Sequence, residues 1–366
     1  MIYNKNIFVI SLMVLFLCSC NHESNKISVK QKEDYKEKKI IDFVNSFISN
    51  NNNGYYISST YKPGDKLYNP VLAIQRNRWD IAIPLLEKLV KENNPDAMYW
   101  LANISGGSIF SGKKMADLFE RSAKLGNPYA ALRLNKGAED CDTYLSGYCS
   151  EEWGKKAKKI LKDRATKGDA KAEYYLSLLN GNNYDDVLDL ALKNAKQHYY
   201  HPISYFLKYD YNLKPELRKK LYSIMIDNYF IPVADVMYLN LSKDSFEYSF
   251  YENKLEKISY SYDSWLSIYA INSKFFHKDH KRDFIKKMIT FDIMSDMQKK
   301  SKYLDRGFER VNVDVGYLVD YYNSILAKDN VSVISETDVK NMISKALKIL
   351  NNKNDMVYID EYFYKP

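Results

Sequence analysis

The sequence predicts an all-α protein whose helices pair into hairpins that stack in tandem, a solenoid. Three observations support this prediction. Apolar residues recur at helical spacing through much of the chain, no long alternating pattern typical of β-strands competes with them, and one short phrase returns at intervals of 30 to 42 residues. Two helices per repeat at such a period are typical of helical solenoids, in which no single unit buries its apolar face alone.

The repeated phrase is clearest between Asn94 and Asp169. A small and an apolar residue four positions apart open each copy, and the helix before it ends in Ala-x-x-Gly-Asn or Ala-x-x-Gly-Asp. Small residues are expected where two helices of a hairpin approach closely. The opening pairs are Ala97 with Leu101, Ala130 with Leu134, and Ala172 with Leu176, and the equivalent positions near the end of the second helix are Ala123, Ala165 and Ala195.

This pattern of A-x-x-x-L, a Gly-containing turn and a helix ending in A-x-x-G-[ND] resembles the Sel-like repeat family, close relatives of the tetratricopeptide repeats. The resemblance covers about residues 70 to 200, roughly a third of the chain. The family's usual Leu-Gly is Leu101-Ala102 in one copy and Leu134-Asn135 in the next, which leaves the number of repeats open. The resemblance implies an α-solenoid that binds another protein.

Residues 1–19 predict a cleaved signal peptide. Lys5 supplies a positive start, and an apolar run of eleven residues leads into Leu-Cys-Ser-Cys, which ends at Cys20. That run is too short to span a bilayer as a permanent helix. The ending resembles a bacterial lipoprotein signal, which implies that Cys20 is the lipidated first residue of the mature chain. The alternative is an ordinary secretory signal with a chance cysteine.

A lipid anchor on Cys20 implies a location in the bacterial cell envelope. Several acyl chains on one cysteine anchor durably, since each buried methylene contributes about 0.8 kcal/mol. Asn21, rather than Asp, follows the cysteine. By analogy with enteric lipoproteins, this residue favours the outer membrane, facing the periplasm.

The mature chain divides into three predicted parts. Residues 20–39 are polar and charged without an apolar period, which predicts a disordered tether. Residues 40–244 are expected to form the solenoid, and residues 245–366 a helical region that continues or caps it. In this last region, Ser335 and Asp338 are spaced as an N-cap and its partner. The closing sequence DMVYIDEYFYKP predicts a capping strand or a tail lying on the last helices.

The charge pattern argues against nucleic-acid binding. The formal net charge of +8 falls to +7 when the signal peptide, whose single charged residue is Lys5, is removed. Lysines alternate with acidic residues, so the chain lacks the dense basic stripe that nucleic-acid recognition requires.

Aromatic residues beside the repeated Ala and Leu positions are the candidate contacts with a partner protein. Tyrosine is rigid and amphipathic, and it suits interfaces when it lies on an exposed face. Packing in the core is the alternative reading of these side chains. The candidates are Tyr99, Trp100, Tyr129, Tyr174 and Tyr175.

Cys141 and Cys149 are predicted to form a disulfide. They are the two cysteines outside the signal, and they lie eight residues apart in the insertion that lengthens one repeat to 42 residues. The bond would contribute about 2.5 kcal/mol in the chain-entropy model. Redox activity would favour C-x-x-C spacing, and a zinc site would need two more ligands nearby.

No catalytic or cofactor motif stands out. The chain has no nucleophile elbow, no H-E-x-x-H and no phosphate-binding glycine loop, so an enzyme, a metal site and a cofactor are not expected. Histidines occur three apart as His198 with His201 and His277 with His280, a spacing that can ligate a metal on a helix. Pro202 interrupts the first pair, and the second lies in a charged segment typical of a solvated surface.

The favoured function is therefore a lipid-anchored periplasmic solenoid that binds another protein. The resemblance to Sel-like repeat lipoproteins implies a more specific function, because some of them are immunity partners of phospholipase toxins delivered by type VI secretion. A cell-envelope scaffold without a toxin partner is one alternative. An envelope enzyme with its site after residue 245 is another, and perturbed carboxylates in a deep pocket would favour it.

Overall fold

The computed structural model describes residues 29–48, 56–106, 111–182, 187–209, 212–240, 281–301, 314–351 and 356–361. Within these ranges the chain is all-α, as predicted, and β-pairing is limited to one isolated bridge between Asn135 and Ser150. Cys20 and the predicted signal peptide lie outside the described residues. Across the described ranges, no helix has both the length and the apolar character that crossing a bilayer requires.

The helices vary in length from 5 to 20 residues. They are α1 (Val29–Ile48), α2 (Tyr68–Gln75), α3 (Trp79–Lys91), α4 (Pro95–Ile104), α5 (Gly112–Lys124), α6 (Pro128–Arg133), α7 (Glu139–Thr143), α8 (Glu151–Ala165), α9 (Ala170–Leu179), α10 (Leu188–Lys196), α11 (His201–Tyr209), α12 (Pro215–Asp227), α13 (Val233–Asn240), α14 (Lys281–Lys300), α15 (Gly316–Lys328) and α16 (Glu336–Asn351).

Helix α1 corrects the prediction of a disordered tether over residues 20–39. The helix begins at Val29, so the second half of that stretch is helical. Its C-terminal half buries Ile40, Phe43 and Val44 against α10 and α12. The polar half gains support from tertiary contacts, among them the Glu37 ion pair with Lys214 on α12 at 2.6 Å. Such contacts override the absence of an apolar period in the local sequence.

From α2 to α11, each helix packs against the next one along the chain, with the short α7 set to one side. The helices therefore fall into pairs. The first helices are α2, α4, α6, α9 and α11, and the second helices that pack against them are α3, α5, α8 and α10. Helix α12 follows α11 in the chain but packs against α1 and α13. Three of the first helices, α4, α6 and α9, carry the start of the repeated Ala-x-x-x-Leu, and Ala97, Ala130 and Ala172 are fully buried there.

The same turn follows the second helix of each pair. One residue adopts a left-handed conformation, and the N–H of the residue after it donates to a carbonyl five positions back. Glycine fills this position where the sequence repeat is clear, at Gly126 and Gly168, because glycine has no Cβ to strain. After α3, α5, α8 and α10 the left-handed residues are Asn93, Gly126, Gly168 and His198. The same turn also follows other helices, with Asn77 after α2, Gly181 after α9, Tyr229 after α12 and Asn330 after α15. The turn thus recurs after residue 196, where the sequence repeat fades.

An Asn or Asp after the turn caps the next first helix. The side chains of Asn94, Asn127 and Asp169 accept hydrogen bonds from the N–H groups of residues 97, 130 and 172 at 2.9, 2.8 and 3.0 Å. This contact satisfies one of the unpaired N–H groups at a helix start. It explains why the repeat has Asn or Asp three residues before its alanine.

Apolar side chains form three core clusters. The first joins α2 to α10, and the second joins α1 to α10, α11, α12 and α13. The third holds α14, α15 and α16 together. In α16, Ser335 and Asp338 make the predicted reciprocal cap, with N···O distances of 2.9 and 3.2 Å. Arg78, at the N-cap of α3, donates to the carbonyl of Gln298 on α14 at 3.1 Å, so a polar contact joins α3 to α14.

The predicted disulfide between Cys141 and Cys149 is present, with the two Cα atoms 6.0 Å apart. It closes the insertion between α6 and α8. Close backbone approach also positions this insertion, because a Cβ on Gly112 would overlap the carbonyl oxygen of Tyr144.

Candidate functional site

The five aromatic residues predicted to contact a partner are all buried. Each is at most 5 % exposed, which is incompatible with direct docking of a partner onto them in this conformation. In this conformation their rings pack in the core, as the alternative interpretation expects. The physical reason lies in the short first helices: α4 buries seven of its ten residues because α3 and α5 pack against it. The five are Tyr99, Trp100, Tyr129, Tyr174 and Tyr175.

These rings pack edge to face against one another. The Tyr99 and Trp100 ring centroids are 5.5 Å apart, and the Tyr175 ring lies 6.2 Å from Tyr129 and 5.1 Å from Tyr174. Such tilted contacts are favourable between aromatic rings. They give the first helices an aromatic layer.

Residues 356–361, with the sequence MVYIDE, lie against the first helices, and we call them the tail segment. Met356, Val357, Tyr358 and Asp360 are buried. The closing sequence predicts a capping strand or a tail that lies on the last helices. Its described residues, 356–361, form neither of these. The tail segment has no strand partner among the described residues. Its hydrogen bonds reach the loop before α2, the helices α2, α4, α9 and α11, and the turn between α10 and α11.

Main-chain atoms of the tail segment are held by polar groups at both ends of the array. Gln75, the last residue of α2, donates to the carbonyl of Met356 and accepts from the N–H of Tyr358, both at 2.9 Å. Ser59 Oγ accepts from the N–H of Val357 at 2.9 Å. On the opposite side, His201 Nε2 lies 2.7 Å from the carbonyl oxygen of Tyr358. These bonds would hold any extended chain, because they do not involve its side chains.

The two carboxylates of the tail segment meet a lysine and a group of tyrosine hydroxyls. Lys171 Nζ lies 2.8 Å from Asp360 Oδ1 and 3.0 Å from Glu361 Oε2. The Tyr199 hydroxyl donates to the other carboxylate oxygen of Asp360. The Tyr61 hydroxyl donates to Glu361 Oε1 at 2.5 Å.

Further contacts fix these donors in place. The Tyr99 hydroxyl donates to the main-chain carbonyl of Glu361, so one of the predicted residues does reach the tail segment with its polar tip. Lys171 Nζ lies 4.6 Å from the ring centroid of Tyr129 and 5.4 Å from that of Tyr199. A cation over aromatic faces is attracted by their negative charge. We call the set of Ser59, Tyr61, Gln75, Tyr99, Lys171, Tyr199 and His201 the tail-binding face.

The central ion pair stays charged although it is buried. The Asp360 side chain is fully buried and that of Lys171 is 21 % exposed. Burial alone would raise the pKa of Asp360, but Lys171, His201 and the hydrogen bonds from Lys171 and Tyr199 together hold that pKa below its ordinary value. Burial would likewise lower the pKa of Lys171, but the two carboxylates raise it well above its ordinary value. A charged, multiply hydrogen-bonded pair results.

The hydroxyls and the histidine of this face are in their neutral forms. Burial and the neighbouring carboxylates raise the pKa of Tyr61 and Tyr199 well above the ordinary value, so both remain donors. Burial lowers the pKa of His201, which favours the neutral ring with Nε2–H directed at Tyr358. His198 contacts the Tyr200 hydroxyl instead, at 2.9 Å, so the two histidines serve different partners. His277 and His280 lie outside the described residues.

Sequence reasoning missed most of this face. Lys171 carried a signal, since it is a charged residue between the alanines Ala170 and Ala172 at the start of a first helix. The Asp360-Glu361 pair inside an aromatic stretch was a second signal. Their pairing over 189 residues could not be read from local spacing.

A scan against protein-family models finds no match to this chain, and searches of curated proteins and of solved structures find none either. The resemblance to Sel-like repeats rests on the repeated residues themselves.

Proposed function

We propose that this chain is a lipid-anchored periplasmic solenoid that binds and neutralises another protein at the bacterial envelope. The solenoid is supported by the recurrence of the left-handed turn at intervals of 30 to 42 residues and by the capping Asn or Asp that precedes the repeated alanine. In a tandem array of such units the first helices share one face, and here the tail segment lies on that face. The anchor is supported by the lipoprotein-like signal that ends at Cys20.

The observation that carries protein binding is the tail-binding face. It holds an extended polypeptide through main-chain hydrogen bonds from Gln75, Ser59 and His201, and through the charge of Lys171. Recognition of extended segments by main-chain bonds plus side-chain selectivity is a common mode of peptide binding. The same hydrogen bonds and charge would bind an extended segment of a partner protein.

The specific partner that we propose is a phospholipase toxin delivered by type VI secretion. The resemblance to Sel-like repeat lipoproteins supports it, because some of these are immunity proteins that occlude the active site of such toxins. A lipid anchor would hold the inhibitor at the surface where a lipase acts. Binding would cover the catalytic groups of the toxin and exclude its lipid substrate.

The test is a rescue of periplasmic toxicity. The product of the gene adjacent to this one is exported to the periplasm of a test strain, with and without this protein, and survivors are counted. We expect toxicity without the protein and survival with it, and we expect a Cys20→Ala variant exported by a non-lipoprotein signal to rescue less well at low expression. Toxicity without rescue, or no toxicity, would contradict the proposed function.

A further inference from the structure

We propose that the tail-binding face is a recognition site for an extended segment bearing two consecutive carboxylates, that residues 356–361 fill it in cis, and that an acidic segment of the partner displaces them. This inference rests on the proposed function, since it names the chemistry of the partner that the solenoid binds. It assigns to the tail segment the role of an internal competitor.

Charge complementarity identifies the occupant. Lys171 and the hydroxyls of Tyr61 and Tyr199 converge on the two adjacent carboxylates of Asp360 and Glu361. A neutral segment in the same place would bury the ammonium group beside aromatic rings without the two carboxylates that pair with it here. An uncompensated buried charge is unfavourable by several kcal/mol. The face therefore selects acidic segments and rejects neutral or basic ones.

The rest of the face selects an extended chain with apolar residues before the acids. Val357 inserts into the first core cluster and Tyr358 into the second, so two adjacent apolar side chains point into different clusters. Gln75 spans three residues of the segment, since it bonds to Met356 and Tyr358 and lies 3.4 Å from the N–H of Ile359. The fitting pattern is apolar-apolar-x-acid-acid, read here as Val-Tyr-Ile-Asp-Glu.

Because the tail segment fills the tail-binding face of its own chain, the free protein cannot bind a partner segment there until the tail leaves. A segment tied to the same chain acts at an effective concentration on the order of millimolar. A partner segment must compete with the bound tail. Its apparent Kd equals its intrinsic Kd divided by the fraction of molecules whose face is open. The tail segment would thus suppress weak acidic peptides and leave the face available to a partner that adds contacts elsewhere.

The test uses the full chain and a fluorescent peptide of the sequence DMVYIDEYF, residues 355–363. In a D360N/E361Q chain the tail has lost its charges, and we expect the peptide to bind about tenfold or more tightly than to the wild-type chain, because the competitor is weakened. The peptide with the same two replacements should bind the opened chain poorly, and a K171M/D360N/E361Q chain should lose the acidic peptide. Equal binding to the wild-type and opened chains, or equal binding of the acidic and neutral peptides, would overturn the proposal.

A second variant guards against misfolding of the first. A protease site replaces residues 352–355 in the otherwise wild-type chain, so that cleavage leaves the tail held by its non-covalent contacts alone. Excess DMVYIDEYF peptide should then release the cleaved tail, and the neutral peptide should not. If the cleaved tail stays bound in excess acidic peptide, the proposal that an acidic segment displaces it is wrong. Toxin rescue by a chain that binds no peptide would leave the proposed function standing without this inference, whereas peptide binding without rescue would contradict the function alone.

Discussion

Lys171 is a charged residue in the first turn of α9, between Ala170 and Ala172. Its partners are Asp360 and Glu361, and its stem lies between the rings of Tyr129 and Tyr199. Replacing a whole buried ion pair by apolar groups is often neutral, whereas removing one partner leaves the other charge unpaired. The lysine is therefore a sensitive probe of the tail segment.

We predict that Lys171→Met lowers the free energy of unfolding by about 3–5 kcal/mol, because Asp360 remains buried without a counter-charge. Lys193→Met on α10 is the matched control. Lys193 pairs with Glu173 where both side chains are more than a third exposed, so its loss should cost at most about 1 kcal/mol. Urea unfolding of the two variants measures the difference, and equal losses would argue that Asp360 does not depend on Lys171.

The tyrosines around this pair predict sensitivity to alkali. Burial raises the pKa of Tyr61, Tyr175 and Tyr199, so the folded state keeps protons that the unfolded state releases above the ordinary pKa of about 10. Stability from these groups is present below that pH and is lost as pH rises beyond it. We expect tyrosinate absorbance of the buried rings to appear together with loss of helical circular dichroism. Ionisation of these rings in a fully helical protein would contradict their burial.

At this scale the sequence predicted what local patterns encode. Ala97, Ala130 and Ala172 are buried at the repeated positions, and Cys141 pairs with Cys149. The pattern also predicts that the five aromatic residues beside the repeat contact a partner protein, whereas their rings pack in the core. Spacing shows that a ring lies on an apolar side of a helix, but it does not show that neighbouring helices close over that side.

At the scale of elements, the turn and the cap form one repeated device. The left-handed residue ends one helix, and the Asn or Asp after it starts the next, so the angle between the two helices is set by three or four residues. Glycine marked this turn in the sequence at Gly126 and Gly168. His198 and Tyr229 adopt the same conformation without that marker, which is why the repeat faded there.

We predict that Asn127→Ala destabilises the protein by about 1–2 kcal/mol, because Asn127 is buried and its side chain caps α6. It also donates to Asp96 at 2.8 Å, which links two successive first helices. Ser150→Ala is the matched control, since Ser150 occupies the N-cap position of α8 without a capping hydrogen bond. Thermal unfolding should separate the two variants, and a loss as large for Ser150 as for Asn127 would contradict the capping account.

The disulfide predicts a second element-scale effect. Replacing both cysteines, Cys141→Ser and Cys149→Ser, should lower the free energy of unfolding by about 2.5 kcal/mol, because the unfolded chain regains the freedom of the insertion. Reductant should destabilise the wild-type chain by a similar amount and leave the double variant unchanged. Identical unfolding of the wild-type chain with and without reductant would show that the bond contributes nothing in solution.

Helix α1 shows the limit of prediction for an element. Its sequence predicted helix from residue 40, where Ile40 and Phe43 give an apolar face, and disorder before it. The charged half is helical because it meets α10 and α12 through contacts such as Lys39 with Asp189 and Glu37 with Lys214. Those partners lie 150 or more residues away in sequence, beyond the reach of periodicity.

At the scale of the whole molecule, distant parts of the chain meet around the tail segment. Ser58, before α2, donates to the carbonyl of Asn228 after α12 at 2.6 Å, so the two ends of the helical array are in contact. Val357 and Tyr358 then join the first and second core clusters. The all-α class was predictable from periodicity, but this closure was not, since it depends on contacts 170 to 298 residues apart.

The most direct test of this account is amide hydrogen exchange of Val357 and Tyr358 in the full chain. Their N–H groups donate to Ser59 Oγ and Gln75 Oε1 in buried surroundings, so they should exchange much more slowly than in a free peptide. Lys171→Met should speed their exchange more than Lys193→Met does. Exchange at the rate of a free peptide would contradict the central claim that the tail segment occupies the tail-binding face.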